Sequence, residues 1–206
     1  MSIASPGALV SGLLPERTMN SLTRDIALIL VGSCLLALSA QFKVPVGPVP
    51  ISLQSLVVLL IGAAYGWRLG AATIFAYWVE GIALGGLIPW FANGSGLAYF
   101  VGAPSAGFLW GYMAMVVVVG FLADTLRWRE NALALFVAML AGHVALYAIG
   151  LAHAYLLVMP VVTWMNTSAE MFTIYLTPFI VGDLLKTALA TLVVIQGWQW
   201  VERRLR

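Results

Sequence analysis

The sequence predicts an all-α membrane protein, a bundle of six transmembrane helices with both termini in the cytoplasm. Of its 206 residues, 62% are hydrophobic and only 9% are charged, and the mean hydropathy is +0.99. Roughly a quarter of the residues are charged in ordinary soluble domains. Helices suit such apolar runs because they satisfy their own backbone hydrogen bonds in hydrocarbon. The strands of a membrane β-barrel would alternate apolar and polar residues, and these runs do not.

Six apolar runs are assigned to the six helices. They lie at residues 26–40, 51–65, 69–88, 105–123, 132–162 and 174–201. The first two are shorter than the roughly 20 residues that cross a bilayer, so we expect flanking residues to extend them or the helices to pack in a locally thinned region. The fifth run is longer than one span needs, and we expect it to tilt, to kink near Pro160 or to continue along the interface.

The positive charges predict the orientation. With six spans, eight of the ten Lys and Arg residues fall on one side: Arg17, Arg24, Arg68, Arg127, Arg129, Arg203, Arg204 and Arg206. Lys43 falls on the other side, and Lys186 lies inside a span. The positive-inside rule therefore places both termini in the cytoplasm. We divide the chain into a tail at 1–24, a transmembrane domain at 25–202 and a basic terminus at 203–206.

The first run also has the pattern of a signal peptide. Arg17 and Arg24 precede its apolar core, which ends in the small residues "ALSA". Cleavage is the alternative to a retained first helix, but it would leave five spans and a poorly covered bundle. The single cysteine, Cys34, excludes an intramolecular disulfide.

Two connections on the external side have an unusual composition. The segment "QFKVPVGPVPISLQ" contains three prolines, which prevent regular helix, and "GGLIPWFANGSGLAYFVGAPSAG" is rich in glycine and aromatic residues. Apolar irregular backbone at membrane depth is tolerated where it is buried in protein or lines a cavity. We expect a lid and a pocket wall near the outer face, the alternative being ordinary external loops. Trp90, Phe91, Tyr99 and Phe100 around the amide of Asn93 are typical of a small-molecule site.

Asp183 and Lys186 interrupt the last apolar run. They are three residues apart, so on a helix they share one face, which should point into the bundle rather than into lipid. One interpretation is an ion pair that specifies helix packing. The other is a site for a ligand group with a donor and an acceptor side by side, because Asp183 accepts N–H bonds and Lys186 donates to a carbonyl. A cyclic urea has that pattern.

Five further polar or small positions leave alternatives open. Glu80 fits a proton-coupling carboxylate, a cavity residue or a solvated group near the outer interface. His143 and His153 are ten residues apart, too far along one helix to form a metal site by themselves, and we expect no metal and no cofactor. Ser33 and Ala37 form a small-xxx-small pair, which serves close helix approach to a partner or within the same chain.

The motifs "PVPISLQ", "GLIPWFANGSG", "GAPSAGFLWGY" and "VGDLLKTALA" resemble, in order, segments of the BioY family. Members of that family are the biotin-binding substrate components of energy-coupling-factor (ECF) transporters. The resemblance covers about residues 41–192. It implies a six-helix protein of the bacterial cytoplasmic membrane that captures biotin from outside and delivers it with a transmembrane coupling protein and ATP-hydrolysing subunits. The chain has no "GxxxxGK[ST]" phosphate loop of its own.

The resemblance also implies roles for particular residues. Asp183, Lys186 and Asn93 would surround the biotin rings, and the first external loop would act as the gate. Ser33 and Ala37 would lie on the surface that meets the coupling protein. We add the hypothesis that the biotin carboxylate points to the external loops. Lys43, the sole external cation, is then its expected charged partner, and Gln54 ends the same loop.

Two other function classes compete with this interpretation. An intramembrane serine protease would use Ser95 with His143 or His153 as its base. A stand-alone proton-coupled carrier would titrate Glu80 or Asp183 during transport. We expect biotin, the lipid bilayer and the subunits of an ECF module as partners, and no nucleic acid.

Overall fold

The computed structural model describes the backbone of residues 20–85 and 87–205 and the side chains up to residue 203. Arg17, Arg206, the Arg204 side chain and the predicted tail up to residue 19 lie outside the described residues. Five helices in the described ranges are long and apolar enough to cross a membrane. The chain is therefore an all-helical membrane protein in its main elements, as predicted.

The described elements follow one another along the chain with short connections. In order they are α1 (Ser21–Gln41), β1 (Lys43–Val44), β2 (Ile51–Ser52), α2 (Gln54–Ala83), α3 (Leu97–Gly102), α4 (Ala106–Thr125), a 3-10 turn (Trp128–Glu130), α5 (Ala132–His153), a π-helical turn (Ala154–Val158), α6 (Ser168–Tyr175) and α7 (Ile180–Leu205).

Helix α2 contains two predicted runs, because the chain reverses its direction at Gly66. This glycine has φ 79° and ψ 172°, a conformation that interrupts the helix and that residues with a Cβ rarely adopt. The side-chain amide of Gln54 donates to the hydroxyl of Tyr77 at 2.8 Å. In a straight helix these residues would be about 35 Å apart. Residues 54–65 and 67–83 are therefore antiparallel, with lengths of about 18 and about 26 Å.

The other helix boundaries differ from the predicted runs at specific residues. The first helix is extended on both sides to 21 residues, as expected. The second is not extended, because it starts at Gln54, three residues after the start of its run, and is interrupted at Gly66. Helix α5 passes at Ala154 into its π-helical turn, which ends at Val158, two residues before Pro160, near which a kink was predicted. The sixth run was predicted to start at residue 174, which is wrong: α6 ends at Tyr175 and α7 starts at Ile180. Pro178 lies in the break, and proline disfavours helical backbone at the residue before it.

The two unusual connections lie at one end of the bundle, which we call the hairpin end. β1 and β2 pair antiparallel, with Lys43 opposite Ser52 and Val44 opposite Ile51. Val49, inside this hairpin, is buried. In the second connection a bridge pairs Phe91 with Gly94. The proline and glycine segments are therefore ordered elements that contribute buried residues.

A buried ion pair joins three elements at the opposite end of the bundle. The guanidinium of Arg129 pairs with Asp124 and donates to the carbonyl of Ala63 from Nε at 3.1 Å and from Nη2 at 2.8 Å. It also lies over the ring of Trp198, 5.4 Å from the centroid. Arg129 is 2% exposed. This cation was predicted as a loop charge, but it holds α2, α4 and α7 together.

Helix α4 packs between α2 and α5. The close approach depends on small residues: a Cβ at Gly120 would overlap the backbone of Trp67, and one at Gly142 would overlap Val119. Gly81 of α2 lies in the same way against the ring of Phe91, which is fully buried. These glycines let neighbouring backbone and rings pack without a gap.

Replacing Gly81 with Ala should lower the free energy of unfolding by about 1–3 kcal/mol. The added methyl group would overlap the Phe91 ring, and this effect exceeds the gain in helix propensity of about 1 kcal/mol. The measurement is thermal or denaturant unfolding in detergent. Gly102→Ala is the control, since no atom lies within 4 Å of a Cβ there. Equal stability changes in the two variants would contradict the prediction.

Candidate functional site

Asp183 and Lys186, three residues apart on the first turns of α7, meet Ser55 of α2 inside the bundle. The Nζ of Lys186 donates to Asp183 Oδ1 at 3.0 Å and to the Ser55 hydroxyl at 2.9 Å. The Ser55 hydroxyl in turn donates to Asp183 Oδ1 at 3.2 Å. The predicted pair is therefore a three-residue network across two helices.

The second oxygen of Asp183 is held by helix α5. The hydroxyl of Tyr147 donates to Oδ2. The Nε2 of His143, one helical turn earlier, lies 3.5 Å from the same oxygen. Sequence reasoning missed Ser55 and Tyr147 and gave His143 no partner. The i, i+4 spacing of His143 and Tyr147 indicates a shared face, but no sequence signal shows that this face meets α7.

The Asp183 network opens into a cavity at the hairpin end. Asp183 and Lys186 line a pocket with about 340 Å³ of empty space, and an adjoining pocket has about 280 Å³. Both are lined by the same five residues: Val49, Pro50, Ser52, Phe108 and Tyr112. They are therefore two lobes of one cavity, which we call the Asp183 lobe and the Tyr99 lobe.

Aromatic rings form one wall of the Asp183 lobe. Phe108 of α4 stacks on Tyr175 and on Phe179, with centroid distances of 6.2 Å in both pairs, and meets Tyr147 edge-on at 6.1 Å. Tyr175 is fully buried, and burial raises the pKa of its hydroxyl to about 12. The wall is therefore apolar and uncharged, beside a network of charged groups.

The Tyr99 lobe has uncharged polar groups. The hydroxyls of Tyr99 and Ser105 lie 3.0 Å apart, and both residues line the lobe. Gln54 also lines this lobe. Its side-chain oxygen accepts a hydrogen bond from the Ser52 hydroxyl, and its side-chain nitrogen donates one to the Tyr77 hydroxyl. Of the predicted residues, this lobe brings together Tyr99 and Gln54.

Three predicted residues of the second connection lie outside the cavity lining. Phe91 is buried behind Tyr99, with a ring-centroid distance of 5.8 Å. Trp90 lines a groove against α1. Asn93 is exposed, while its neighbour Ala92 lines the Tyr99 lobe. Ligand contacts of Phe91, Trp90 and Asn93 stay predictions.

Lys43 joins the hairpin to the second connection. It is half-buried, and its ammonium donates to the carbonyl of Ala92. Because Ala92 lines the Tyr99 lobe, Lys43 places a positive charge beside this lobe. Its predicted contact with a carboxylate is compatible with this location and stays a prediction.

The small-residue pair on α1 is buried in this chain. Ser33 is 0% and Ala37 is 7% exposed, and the Ser33 hydroxyl donates to Glu80 Oε1 at 3.0 Å. Packing within the chain, the alternative left open by the sequence, accounts for the burial of Ser33, and Ala37 lines the groove beside Trp90. A contact of the pair with a coupling protein stays a prediction. Glu80 is half-buried at this helix contact rather than at the cavity, and its Oε2 has no hydrogen-bond partner among the described residues.

Among the described residues, no group of three His, Cys, Asp or Glu side chains is placed to hold a metal ion. His153 packs edge-on against Trp110, with a centroid distance of 4.9 Å, and lies away from His143 on α5. The two histidines therefore have separate environments.

The fold is that of an integral membrane protein with a cavity between its helices at the hairpin end. The sequence matches the BioY family over residues 12–203, and the chain belongs to this family. The match confirms the resemblance found in the motifs. The relatives described next are named as transporters, which leaves the serine protease alternative without support.

Two proteins named as biotin transporters match this chain over most of their own length. The biotin transporter BioY of Rhodobacter capsulatus is 36% identical over 183 residues, which cover 82% of this chain and 90% of the relative. The biotin transporter BioY of Thermotoga maritima is 28% identical, with coverage of 80% and 89%. The fold is similar to a crystal structure of the S-component for biotin from an ECF-type ABC transporter, with a TM-score of 0.73, 20% identity and coverage of 87% and 93%.

Proposed function

We propose that this chain captures biotin and serves its uptake as the substrate-specific component of an ECF-type transporter, energised by separate coupling and ATP-hydrolysing subunits. The observation that carries the proposal is the Asp183–Lys186 pair, held at a cavity with aromatic walls. The names of the relatives support the choice of biotin. The similarity to an S-component supports the choice of partners.

The chemistry of the Asp183 lobe suits a ureido ring. The carbonyl of a cyclic urea accepts from an ammonium, and its N–H groups donate to a carboxylate. Lys186 and Asp183 supply these groups side by side. The apolar part of a fused bicycle would pack against Phe108 and Tyr112, which line the same lobe.

The proposed topology has six spans, with both termini in the cytoplasm and the cavity near the outer face. The reversal at Gly66 supports two antiparallel spans within α2. Both halves are short, which fits a locally thinned bilayer. The predicted sidedness of the arginines supports the orientation, and the hairpin end, which carries Lys43, is then external.

The carboxylate end of biotin would lie in the Tyr99 lobe, beside the hairpin. Lys43 supplies the positive charge there, and Gln54 and Tyr99 supply uncharged polar contacts. Asn93 is one residue from Ala92, so a rearrangement of this turn on binding would bring its amide to the ligand.

Replacing Lys43 with Gln should weaken biotin binding more than binding of biotin amide, by up to about fivefold. Biotin carries a carboxylate that gains from the ammonium, whereas the amide is neutral. The measurement is equilibrium binding of both ligands to wild type and variant in detergent. Equal losses for the two ligands would exclude Lys43 as the carboxylate partner.

The function itself is tested by binding of labelled biotin to the purified chain, with excess desthiobiotin, lipoate and thiamine as competitors. Desthiobiotin retains the ureido ring and should compete best. Saturable binding with this order of competition is the expected result. Absence of binding by the folded wild type would refute the biotin proposal and leave the ion pair as a packing element.

A further inference from the structure

The Asp183 carboxylate has room for one more hydrogen bond. A carboxylate offers about four acceptor positions, roughly two on each oxygen. Oδ1 accepts from Lys186 at 3.0 Å and from Ser55 at 3.2 Å, and Oδ2 accepts from Tyr147. The Nε2 of His143, 3.5 Å from Oδ2, makes no hydrogen bond among the described residues. Asp183 can therefore accept one N–H group of a ligand.

A ureido ring carries two N–H groups, which flank its carbonyl and point away from each other. The group that Asp183 does not accept needs a second acceptor, because a buried donor without a partner weakens binding. Ser55 and Tyr147 line the lobe but are bonded to Asp183 itself, on the side of the first N–H. Among the described residues that line this lobe, the other side-chain acceptors are the hydroxyls of Ser52 and Tyr112.

A chain of hydrogen bonds fixes the direction of the Ser52 hydroxyl. It ends at the carbonyl of Trp90, which can only accept, so the Tyr77 hydroxyl donates to it, at 3.2 Å. Tyr77 in turn accepts from Nε2 of Gln54 at 2.8 Å. The Oε1 of Gln54 then faces Ser52 and accepts its hydroxyl hydrogen at 3.2 Å. Ser52 has no further hydrogen, so its oxygen can only accept from a ligand.

The opposite orientation of the Gln54 amide would leave one bond of this chain unmade. Its Oε1 and the Trp90 carbonyl would then both face the single hydrogen of the Tyr77 hydroxyl. Gln54 is 2% and Tyr77 is 0% exposed, so water does not supply the missing partner. The backbone N–H of Gln54 donates to the Ser52 oxygen at 3.4 Å, which leaves one lone pair of that oxygen for a ligand.

We propose that Ser52 accepts one ureido N–H group while Asp183 accepts the other, and that Gln54 and Tyr77 are positioning residues that keep the Ser52 oxygen an acceptor. This inference rests on the proposed function. Ser52 belongs to strand β2 and lines both lobes. The contact therefore joins the hairpin directly to the ligand rings.

Tyr112 is the competing acceptor. Its hydroxyl lies within hydrogen-bonding reach of the Ser52 side chain. Because the hydrogen of Ser52 is directed to Gln54, Tyr112 can only donate to Ser52. A ligand N–H takes the place of this donor. Tyr112→Phe keeps the ring and should not weaken biotin binding.

The test uses two lactam analogues of biotin, each with a different ureido N–H replaced by CH2, in competition with labelled biotin in detergent. Wild type should bind both at least about fivefold more weakly than biotin, since each leaves one acceptor unpaired. Ser52→Ala should weaken biotin at least about fivefold but should not weaken the lactam that lacks the N–H facing Ser52. Tyr77→Phe should show the same ligand dependence, because the Gln54 amide can then turn its nitrogen toward Ser52.

Ser39→Ala is the matched control and should leave the binding of all three ligands unchanged. Ser39 is 7% and Ser52 is 9% exposed, and the Ser39 hydroxyl donates to the Leu36 carbonyl within α1. Equal losses for biotin and both lactams in Ser52→Ala would indicate a packing role and overturn the inference. A ligand-dependent loss in Tyr112→Phe with none in Ser52→Ala would overturn it in favour of Tyr112. Wild type that binds one lactam as tightly as biotin would refute it without any variant, whereas failure of wild type to bind biotin would refute the proposed function.

Discussion

Replacing Asp183 with Asn should weaken biotin binding by at least about a hundredfold. Asp183 accepts hydrogen bonds from Lys186, Ser55 and Tyr147, and it is the acceptor proposed for the ligand N–H groups. The amide has nearly the same size but one acceptor oxygen and no charge. It leaves the ammonium of Lys186 without a counterion in a buried site. Equilibrium binding in detergent measures the loss.

Asp124→Asn provides the control for this experiment. The Asp124 side chain is 7% exposed and that of Asp183 is 9% exposed, and each forms an ion pair with a basic residue. Asp124 lies at the opposite end of the bundle from the cavity. Its variant should lose stability and retain biotin binding. Similar binding losses in the two variants would show that Asp183 acts through general stability rather than at a ligand site.

Replacing Arg129 with Ala should lower the free energy of unfolding by about 3–5 kcal/mol. The substitution leaves Asp124 buried without its partner, removes two hydrogen bonds to the Ala63 carbonyl and removes the contact with Trp198. Denaturant or thermal unfolding in detergent measures this effect. The fraction that remains folded should bind biotin with wild-type affinity, because Arg129 is far from the cavity.

Arg127→Ala is the matched control two residues away. Arg127 also forms an ion pair, with Glu130 at 2.7 Å, but the side chains are 77% and 42% exposed. Exposed pairs contribute about 0–1 kcal/mol. The two variants remove the same side chain from pairs that differ in burial. A loss in Arg127→Ala as large as that in Arg129→Ala would contradict the role given to burial.

Much of the fold could be predicted from local composition. The apolar runs are long enough to identify helices, and their ends are marked by proline, glycine or charge. The errors have local causes. Pro178 separates α6 from α7 although the residues on both sides are apolar, so hydropathy alone did not show the break.

The site could be predicted only in part. Asp183 and Lys186 were identifiable because charges in an apolar helix are unfavourable unless they have partners. Ser55 and Tyr147 are ordinary residues in apolar runs, and nothing local distinguishes them from packing residues. Their contacts with Asp183 require α2, α5 and α7 to meet at one depth.

Ser33 and Ala37 are a second case in which the sequence identified residues but not their contacts. Their spacing predicts a face for close packing but not what packs on it, and in the structure Ser33 binds Glu80 within the chain. Arg129 was assigned to a loop because it stands between two runs. Burial against Asp124 and Ala63 depends on the helix arrangement, which spacing cannot report.

Hydropathy and the cost of isolated charges were enough to identify a helical membrane protein with a buried pair of opposite charges, since both act at the level of single helices. The residues from other helices that surround this pair became known only from the packed structure. It fixed the second oxygen of Asp183 against Tyr147 and His143, and it closed the proline hairpin over a two-lobed cavity. These contacts are set by packing between distant segments, and packing has no periodic signal along the chain.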